Sequence, residues 1–402
     1  MSGQSSSPGY GVGVGAHIET LLDPASVERV ETVGALTVAQ GYCHEKSVRL
    51  VLTDRSVAGG SFGVEESDLL AATFVRSRED TMPIVLALDS AGARLTSGLA
   101  GLAAFRRMYR AALELRLDGV PMVALLERNC FGGASMLAML CAVRGALQPA
   151  RIGMSGPAII QALAGKQDLD ASDRDAVCAL FGADARARSG AIDDVFTEEH
   201  LQRDMLASLL WRAANTRLDI QREHEKLKQR LHAAGVAVPT MSIADASQLF
   251  RRAIPVGAYE IWQLAEALLQ AKDENAITLR IDCPGQAASR QDELLVLSEY
   301  VAHLALCIAD CCANGTEIVT RIEGECSGGI YVALAAGVAR VEATPSANLR
   351  VLPEKAVTVV MGEAPPKEAL KDALDTGVVD RVVSDADAAA QTQPPVPVGN
   401  DR

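Results

Sequence analysis

Two glycine pairs almost two hundred residues apart constrain this chain more than any other feature. "NCFGGASM" (Asn129 to Met136) and "ECSGGIYV" (Glu325 to Val332) each follow an apolar run and open onto small or apolar residues. Gly132-Gly133 and Gly328-Gly329 stand 196 positions apart, and Pro149 with Pro345 and Pro157 with Pro353 keep that spacing without a gap. Asp89 in "PIVLALDSAGARL" and Asp282 in "AITLRIDCPGQAASR" are 193 apart. One glycine pair is a weak coincidence; a pair in register with two prolines predicts a duplicated unit.

Each unit reads as strand, glycine turn, helix, strand, glycine turn, helix, strand. Runs such as "IVLALD" and "MVALLE" are continuous and partly β-branched, as expected of strands buried on both faces. Helical stretches between them act as crossovers, which predicts parallel strands in an α/β fold. A charged helical segment, roughly 206–233, separates the units. The expected organisation is a flexible leader over 1–15, a first domain over 16–235 with the charged connector at its end, a second domain over 236–390 and a flexible tail over 391–402.

Composition narrows the class of function. A net charge of −13 argues against nucleic acid as the main partner. Apolar runs are broken by charges before reaching the roughly 20 residues a bilayer requires, so no membrane span is expected. The N-terminal "MSGQSSSPGYGVGVG" has neither the basic start nor the apolar core of a signal peptide. The nine cysteines lie scattered and without a CxxC pair, which suits buried thiols in a reducing cytoplasm and gives no metal motif.

A strand that ends in Gly-Gly and turns into a helix exposes backbone N–H groups that no helical carbonyl satisfies. Without a Cβ, a ligand oxygen can come close to them, and the helix N-terminus adds partial positive charge. Such a turn suits phosphate or an oxyanion. Neither "FGGASM" nor "SGGIYV" carries the Lys-Ser/Thr or GxGxxG of phosphate loops, so the sequence leans to an oxyanion hole. One N–H is rarely enough, and "DSAGARL" and "DCPGQAA" are placed to supply a second at the end of the preceding strand.

These motifs resemble the acyl-CoA carboxyltransferases. "DSAGARLTSG" and "NCFGGASM" are similar to turns of the β half of that family, and "IDCPGQAASR" and "GECSGGIYVAL" to those of the α half. The nearest resemblance is to biotin-independent malonate decarboxylase, with a β-like segment over Ala58 to Ala191 and a γ-like segment over Ala276 to Val360, fused in one chain. The resemblance implies two duplicated crotonase-like domains holding a malonyl thioester between them. It implies loss of CO2, an enolate held by backbone N–H groups, and protonation to the acetyl thioester. Gly92, Ala93, Gly132 and Gly133 match the first set of turns, and Gly285, Gln286, Gly328 and Gly329 the second; family analogy gives the first set to the thioester oxygen. The implied carrier is coenzyme A or the phosphopantetheine of an acyl carrier protein, with no covalently bound cofactor, and the implied assembly is a homodimer or larger oligomer. Carboxyl transfer, or capture of the enolate by a carbon electrophile, is the competing chemistry; a non-catalytic member is a third reading.

The chain departs from that family where the γ subunit carries a histidine, at or beside Arg350. Arginine is a poor proton donor but clamps a carboxylate well. Arg94, just after the first turn, is a second candidate for a carboxylate or pantetheine phosphate. His303 on "EYVAHLALCIADC" reads as a buried structural histidine, Tyr331 as a packing residue, and Lys166 and Lys355 as weaker candidates.

Overall fold

The computed structural model describes residues 14–197, 200–271, 274–362 and 369–384. The expected leader and tail fall largely outside the described residues. The strands are β1 (Arg29–Val33), β2 (Leu36–Cys43), β3 (Lys46–Thr53), β4 (Ile84–Ser90), β5 (Met122–Phe131), β6 (Val143–Leu147), β7 (Arg151–Gly153) and β8 (Asp194–Phe196), then β9 (Ala276–Ile281), β10 (Glu317–Ile322), β11 (Glu325–Ser327), β12 (Arg340–Ala343), β13 (Asn348–Arg350) and β14 (Arg381–Val382). The first eight form one sheet in the order β1-β2-β3-β4-β5-β6-β8, with β7 on the far end of β5. The second half has a four-stranded sheet, β14-β12-β10-β9, and a separate β11-β13 pair. Every pairing from β3 onward is parallel, as the crossover helices require.

The sheet opens with an antiparallel meander that the parallel expectation does not include. Its second hairpin turns on His44 and Glu45, both at positive φ (46° and 64°), a conformation that usually asks for Asn-Gly. Asp23 holds it: the carboxylate accepts the His44 N–H at 3.1 Å and the Glu45 N–H at 3.0 Å. Those bonds replace the missing glycine.

Alternation along β4 divides the interior. Ile84, Leu86 and Leu88 join a core shared by both halves, whereas Val85 and Ala87 face a second core closed by Ile18, Leu21 and Leu22 and by the helix Arg203–Ala214. The strand is buried along its whole length, which explains its unbroken apolar run.

The duplication extends to individual hydrogen bonds. Asp89 accepts the Asn129 N–H at 3.2 Å, and Asp282 accepts the Glu325 N–H at 2.9 Å. Phe62 bridges the first upstream turn, donating to Gly92 O and accepting from Arg94; Val256 bridges the second, donating to Gly285 O and accepting from Ala287. The helices Val64–Glu79 and Ala258–Gln270 begin alike, with the Gly63 N–H on Glu66 and the Gly257 N–H on Glu260, each at 3.0 Å. The repeat therefore starts earlier than the glycine pairs reveal.

Charge ties the halves together. Arg106, on the helix Gly98–Leu117, donates to Ala335 O and pairs with Asp380 at 2.9 Å, and Arg110 donates to Ala336 O at 2.7 Å. Both cations thereby satisfy carbonyls at the C-terminal end of Gly328–Ala335. The charged connector expected over 206–233 divides into Arg203–Ala214, which packs on the second core of the first half, and Ile220–Ala233, whose Lys226 and Arg230 meet Glu299 at 2.8 and 2.7 Å while Arg144 approaches the same carboxylate at 3.4 Å. Burial alone would raise the Glu299 pKa, but Arg144, Arg230 and Lys226 outweigh it and hold the group down to about 2.

Because the native carboxyl of Glu299 titrates below its ordinary value of 4.5, its contribution is complete above that pH and vanishes as pH falls through about 2. Glu299→Gln leaves three cations facing a neutral partner, and breaking such a buried cluster costs about 3–5 kcal/mol. Urea denaturation at neutral pH should show that loss. The variant's acid unfolding should lack the share of proton uptake that Glu299 supplies in the parent.

Candidate active site

The two sets of glycine turns face one cavity of about 370 Å³. Its wall includes Ala93, Gly132 and Gly133 from the first half and Gln286, Gly328 and Gly329 from the second. Gly92 and Gly285 stand just behind it at the apices of the upstream turns, with φ of 92° and 126° that a side chain would strain.

The amide hydrogens are not equally free. Gly132 N–H is shared between Gly153 O and Met154 O, each at 3.2 Å, and Gly92 N–H donates to Ser90 Oγ at 3.1 Å. Among the described residues, the N–H groups of Ala93 and Gly133 have no protein acceptor. The first set thus offers two open donors, one from each turn. The helix that follows, Gly133–Met139, has only seven residues, so direct hydrogen bonding rather than a macrodipole is what this turn can supply.

The second set is built the same way, and the Gln286 N–H likewise has no acceptor among the described residues, but its Gly329 N–H is covered. Gln286 occupies the position matching Ala93, and its Oε1 accepts the Gly329 N–H at 3.1 Å. Where the first half has a methyl group, the second therefore has a carboxamide covering the equivalent donor. Since that bond assigns Oε1, Nε2 carries two hydrogens that find no acceptor among the described residues, on a side chain that lines the cavity. Sequence matching named Gln286 for its backbone; the side-chain role became visible only through the fold.

Absent Cβ atoms make the approach possible. A methyl group on Gly133 would lie 2.4 Å from Phe105 Cζ, and one on Gly329 would lie 2.3 Å from Met154 Cε and 2.8 Å from Met136 Sδ. The latter contact crosses between the halves. The loop carrying Met154 is fixed by the buried Glu293, which accepts the Ser155 N–H at 2.7 Å and meets Arg186 at 3.1 Å. Burial pushes the Glu293 carboxyl up, and Arg186 opposes it.

Neither arginine named from sequence is free. Arg94 reaches the wall, but its guanidinium is held by Glu66 and by Ser61 O at 2.8 Å. Arg350 pairs with Glu354 at 2.9 Å, while its neighbours Val351 and Leu352 reach the wall. His303 lies elsewhere, buried 3.1 Å from His224 and 3.3 Å from Cys307, its pKa brought down to about 3 by burial and by His224. Tyr331 packs with its hydroxyl on Val378 O, and Lys166 pairs with Asp170.

Two family models divide the chain between them: a carboxyl transferase domain over residues 26–210 and the malonate decarboxylase gamma subunit over residues 251–374. The chain is a carboxyl-transferase-like unit fused to a malonate-decarboxylase-gamma-like unit. A curated relative, the acetyl-coenzyme A carboxylase carboxyl transferase subunits beta/alpha of Salinispora tropica, is 30% identical over 193 residues, 48% of this chain and 32% of that protein. The methylmalonyl-CoA carboxyltransferase 12S subunit of Propionibacterium freudenreichii is 30% identical over 156 residues, 38% of this chain and 28% of that protein. The chain thus spans about a third of the length of these relatives. A solved Pseudomonas malonate decarboxylase hetero-tetramer in complex with malonate is 26% identical, covering 54% of this chain and 87% of that one with a TM-score of 0.49. Both family matches take in glycine turns of the cavity: Gly92 and Gly132 fall in the carboxyl-transferase-like unit, Gly285 and Gly328 in the gamma-like unit.

Phe105 sits between Phe62 and Tyr109, each at a centroid distance of 6.2 Å, so its ring has little room to yield. Gly133→Ala should therefore destabilise the fold by about 1–3 kcal/mol in chemical denaturation. A methyl group on Gly156 meets nothing within 4 Å, so Gly156→Ala should cost no more than about 1 kcal/mol, the loss expected when alanine replaces the cap of Pro157–Ala164.

Proposed function

We propose that this chain decarboxylates a malonyl thioester, carried on coenzyme A or on the phosphopantetheine of an acyl carrier protein, to the acetyl thioester. The observation that carries the reading is the unequal pair of donor sets on one cavity, two open amides on one side and the Gln286 carboxamide on the other. The Ala93 and Gly133 N–H groups receive the thioester oxygen, and Gln286 Nε2 receives the carboxylate. Gly92, Gly132, Gly285, Gly328 and Gly329 shape the turns that aim those donors. Arg94, held by Glu66, and Arg350, held by Glu354, are not assigned to substrate.

In this reading the bond between C2 and the carboxylate breaks, and its electron pair moves into the enolate, whose oxygen gains the charge. CO2 leaves as a neutral molecule. Two preorganised donors at the developing oxyanion supply the main stabilisation, each worth about 3–4 kcal/mol. With Arg94 already paired with Glu66, a carboxylate beside Gln286 lacks a free counter-ion to hold it in the ground state, which favours its loss. Among the described residues, the wall holds no carboxylate, histidine, cysteine, lysine or tyrosine, so the enolate takes its proton at C2 from water.

A second reading, carboxyl transfer, is favoured by the carboxyl transferase match over residues 26–210. It requires an acceptor: carboxylated acceptor would accumulate in place of free CO2. Residence in the cytoplasm and assembly into a homodimer or larger oligomer belong to the same proposal; among the described residues no helix is long and apolar enough to cross a membrane.

Incubation with malonyl-CoA and with malonyl carrier protein, followed by mass spectrometry, should show CO2 and acetyl thioester without an added acceptor; no turnover of either would overturn the reading. Among the described residues the wall holds no side chain that titrates between about pH 6 and about pH 9, so a change of kcat in that window should come as a single step from Glu293, which anchors the Met154 loop and whose carboxyl burial pushes up to about 7. A bell-shaped profile would place a proton-transferring residue there. Gln286→Ala removes the donor assigned to the carboxylate and should raise KM for the malonyl thioester by roughly tenfold with kcat less affected; an unchanged KM would count against that assignment.

A further inference from the structure

The Gly133 N–H has no protein acceptor among the described residues, so its direction is set by the amide before it. Gly132 N–H is shared between Gly153 O and Met154 O at 3.2 Å each, the long end of the range for such bonds, so a small displacement of those carbonyls releases it. Two buried side chains grip the chain on either side of them. Arg186, on Ala183–Arg188, donates through Nε to Ile152 O at 2.8 Å. Glu293, on Arg290–Leu294, accepts the Ser155 N–H on Oε1 at 2.7 Å and Arg186 Nη2 on Oε2 at 3.1 Å. Gly153 makes room for this: a methyl group there would lie 2.7 Å from Glu293 Oε2.

Glu293 reaches the loop from the other half. It stands seven residues after Gln286, on the helix into which the second upstream turn leads. That helix is pinned on two sides, because Asp292 accepts the Ala258 N–H at 2.9 Å within the second half and Arg290 donates its N–H to Asp168 of the first at 2.7 Å. The segment that carries the carboxamide donor therefore also fixes the turn that carries the oxyanion donor. Both oxygens of Glu293 already accept, so neither has room for a proton. Protonation, or replacement by a carboxamide, sets a donor against the Ser155 N–H or against Arg186, and one of the two bonds is lost.

We propose that Glu293 is a positioning residue for the Gly133 oxyanion donor: in its charged form it closes, with Arg186, a clamp on residues 152–155 that keeps Gly132 N–H committed and aims Gly133 N–H into the cavity. The inference rests on the decarboxylase reading for what Gly133 does, and on the two-sided grip of the loop for what Glu293 does. Burial pushes the Glu293 carboxyl up to about 7, and Arg186 opposes it. Besides Arg186, the charged groups around it are Asp292 on the same helix and, acting through Arg186, Arg230 and Glu299. The charged fraction grows as pH rises through about 7, and activity grows with it. A donor misplaced by about 1 Å costs about 100-fold in rate.

Steady-state kinetics of the full chain with malonyl-CoA should show kcat rising about tenfold or more in one step centred near pH 7. Glu293→Gln should hold kcat about 30-fold below the parent's upper plateau with KM within about threefold, because the oxyanion donor is engaged in the transition state, and should show no step in that window. A merely structural role would lower stability and leave the step in place. A folded Glu293→Gln protein that keeps the step, or whose kcat stays within about twofold of the parent, overturns the proposal while the decarboxylase reading stands. Should that variant not fold, the parent alone carries the test. Selective 15N-glycine labelling should show the Gly132 and Gly133 amide signals moving together with a midpoint near pH 7, and signals that stay fixed overturn the clamp. This measurement needs no turnover: if no thioester loses CO2 while those amides respond, the decarboxylase reading fails and the clamp on Gly133 remains.

Discussion

The site depends on two places where the backbone leaves no room for a methyl group. Gly133 is backed by the Phe105 ring, and Gly329 by the sulfur ends of Met154 and Met136. The second contact joins the halves, because both methionines belong to the first half and the glycine to the second. It brings matching turns of a duplicated fold to one cavity instead of leaving each on its own surface. Close packing of this kind transmits displacement readily, so the positions of the donors follow from how the cores are filled.

Duplication then creates a problem of symmetry, which one residue resolves. The same bridge, the same aspartate and the same glycine pair recur in both halves, and left alone would give two equivalent open turns. Gln286 removes the equivalence by accepting the Gly329 N–H, where Ala93 leaves the Gly133 N–H open. A thioester flanked by a carboxylate is itself unsymmetrical. An open pair of amides suits the oxygen on which charge grows, and a single neutral carboxamide suits a group that must leave uncharged.

The sequence shows the glycine pairs, the prolines in register and the pairing of upstream and downstream turns because these depend on local backbone demands that only certain residues meet; the structure brings those turns to one cavity. It does not show which amides are free, since that depends on partners far along the chain: Gly132 N–H is taken by the carbonyls of Gly153 and Met154, and Gly329 N–H by Gln286. The arginines were illegible for the same reason. Arg94 is held by Glu66, twenty-eight positions away, and a guanidinium near a turn looks free until its partner is known. The antiparallel meander escaped because His44-Glu45 is not a glycine turn and depends on Asp23 from outside the hairpin. The early part of the repeat had a weak signal, Gly63 with Glu66 and Gly257 with Glu260, among neighbours that share little else.

Charge is distributed to match this division of labour. Acid–base pairs join the halves: Glu299 with Arg144, Lys226 and Arg230; Arg106 with Asp380; Arg186 with Glu293, whose carboxyl burial pushes up to about 7. Glu293 acts on backbone: by accepting the Ser155 N–H it anchors the loop whose Gly153 and Met154 carbonyls take the Gly132 N–H. With that amide committed, the next one, Gly133, is left to the cavity. The electrostatic work is therefore done at a distance, by fixing the direction of a neutral donor. On the decarboxylase proposal, a free cation on the wall would stabilise the carboxylate charge that has to disappear. Arg94 reaches the wall already paired with Glu66, which avoids that conflict.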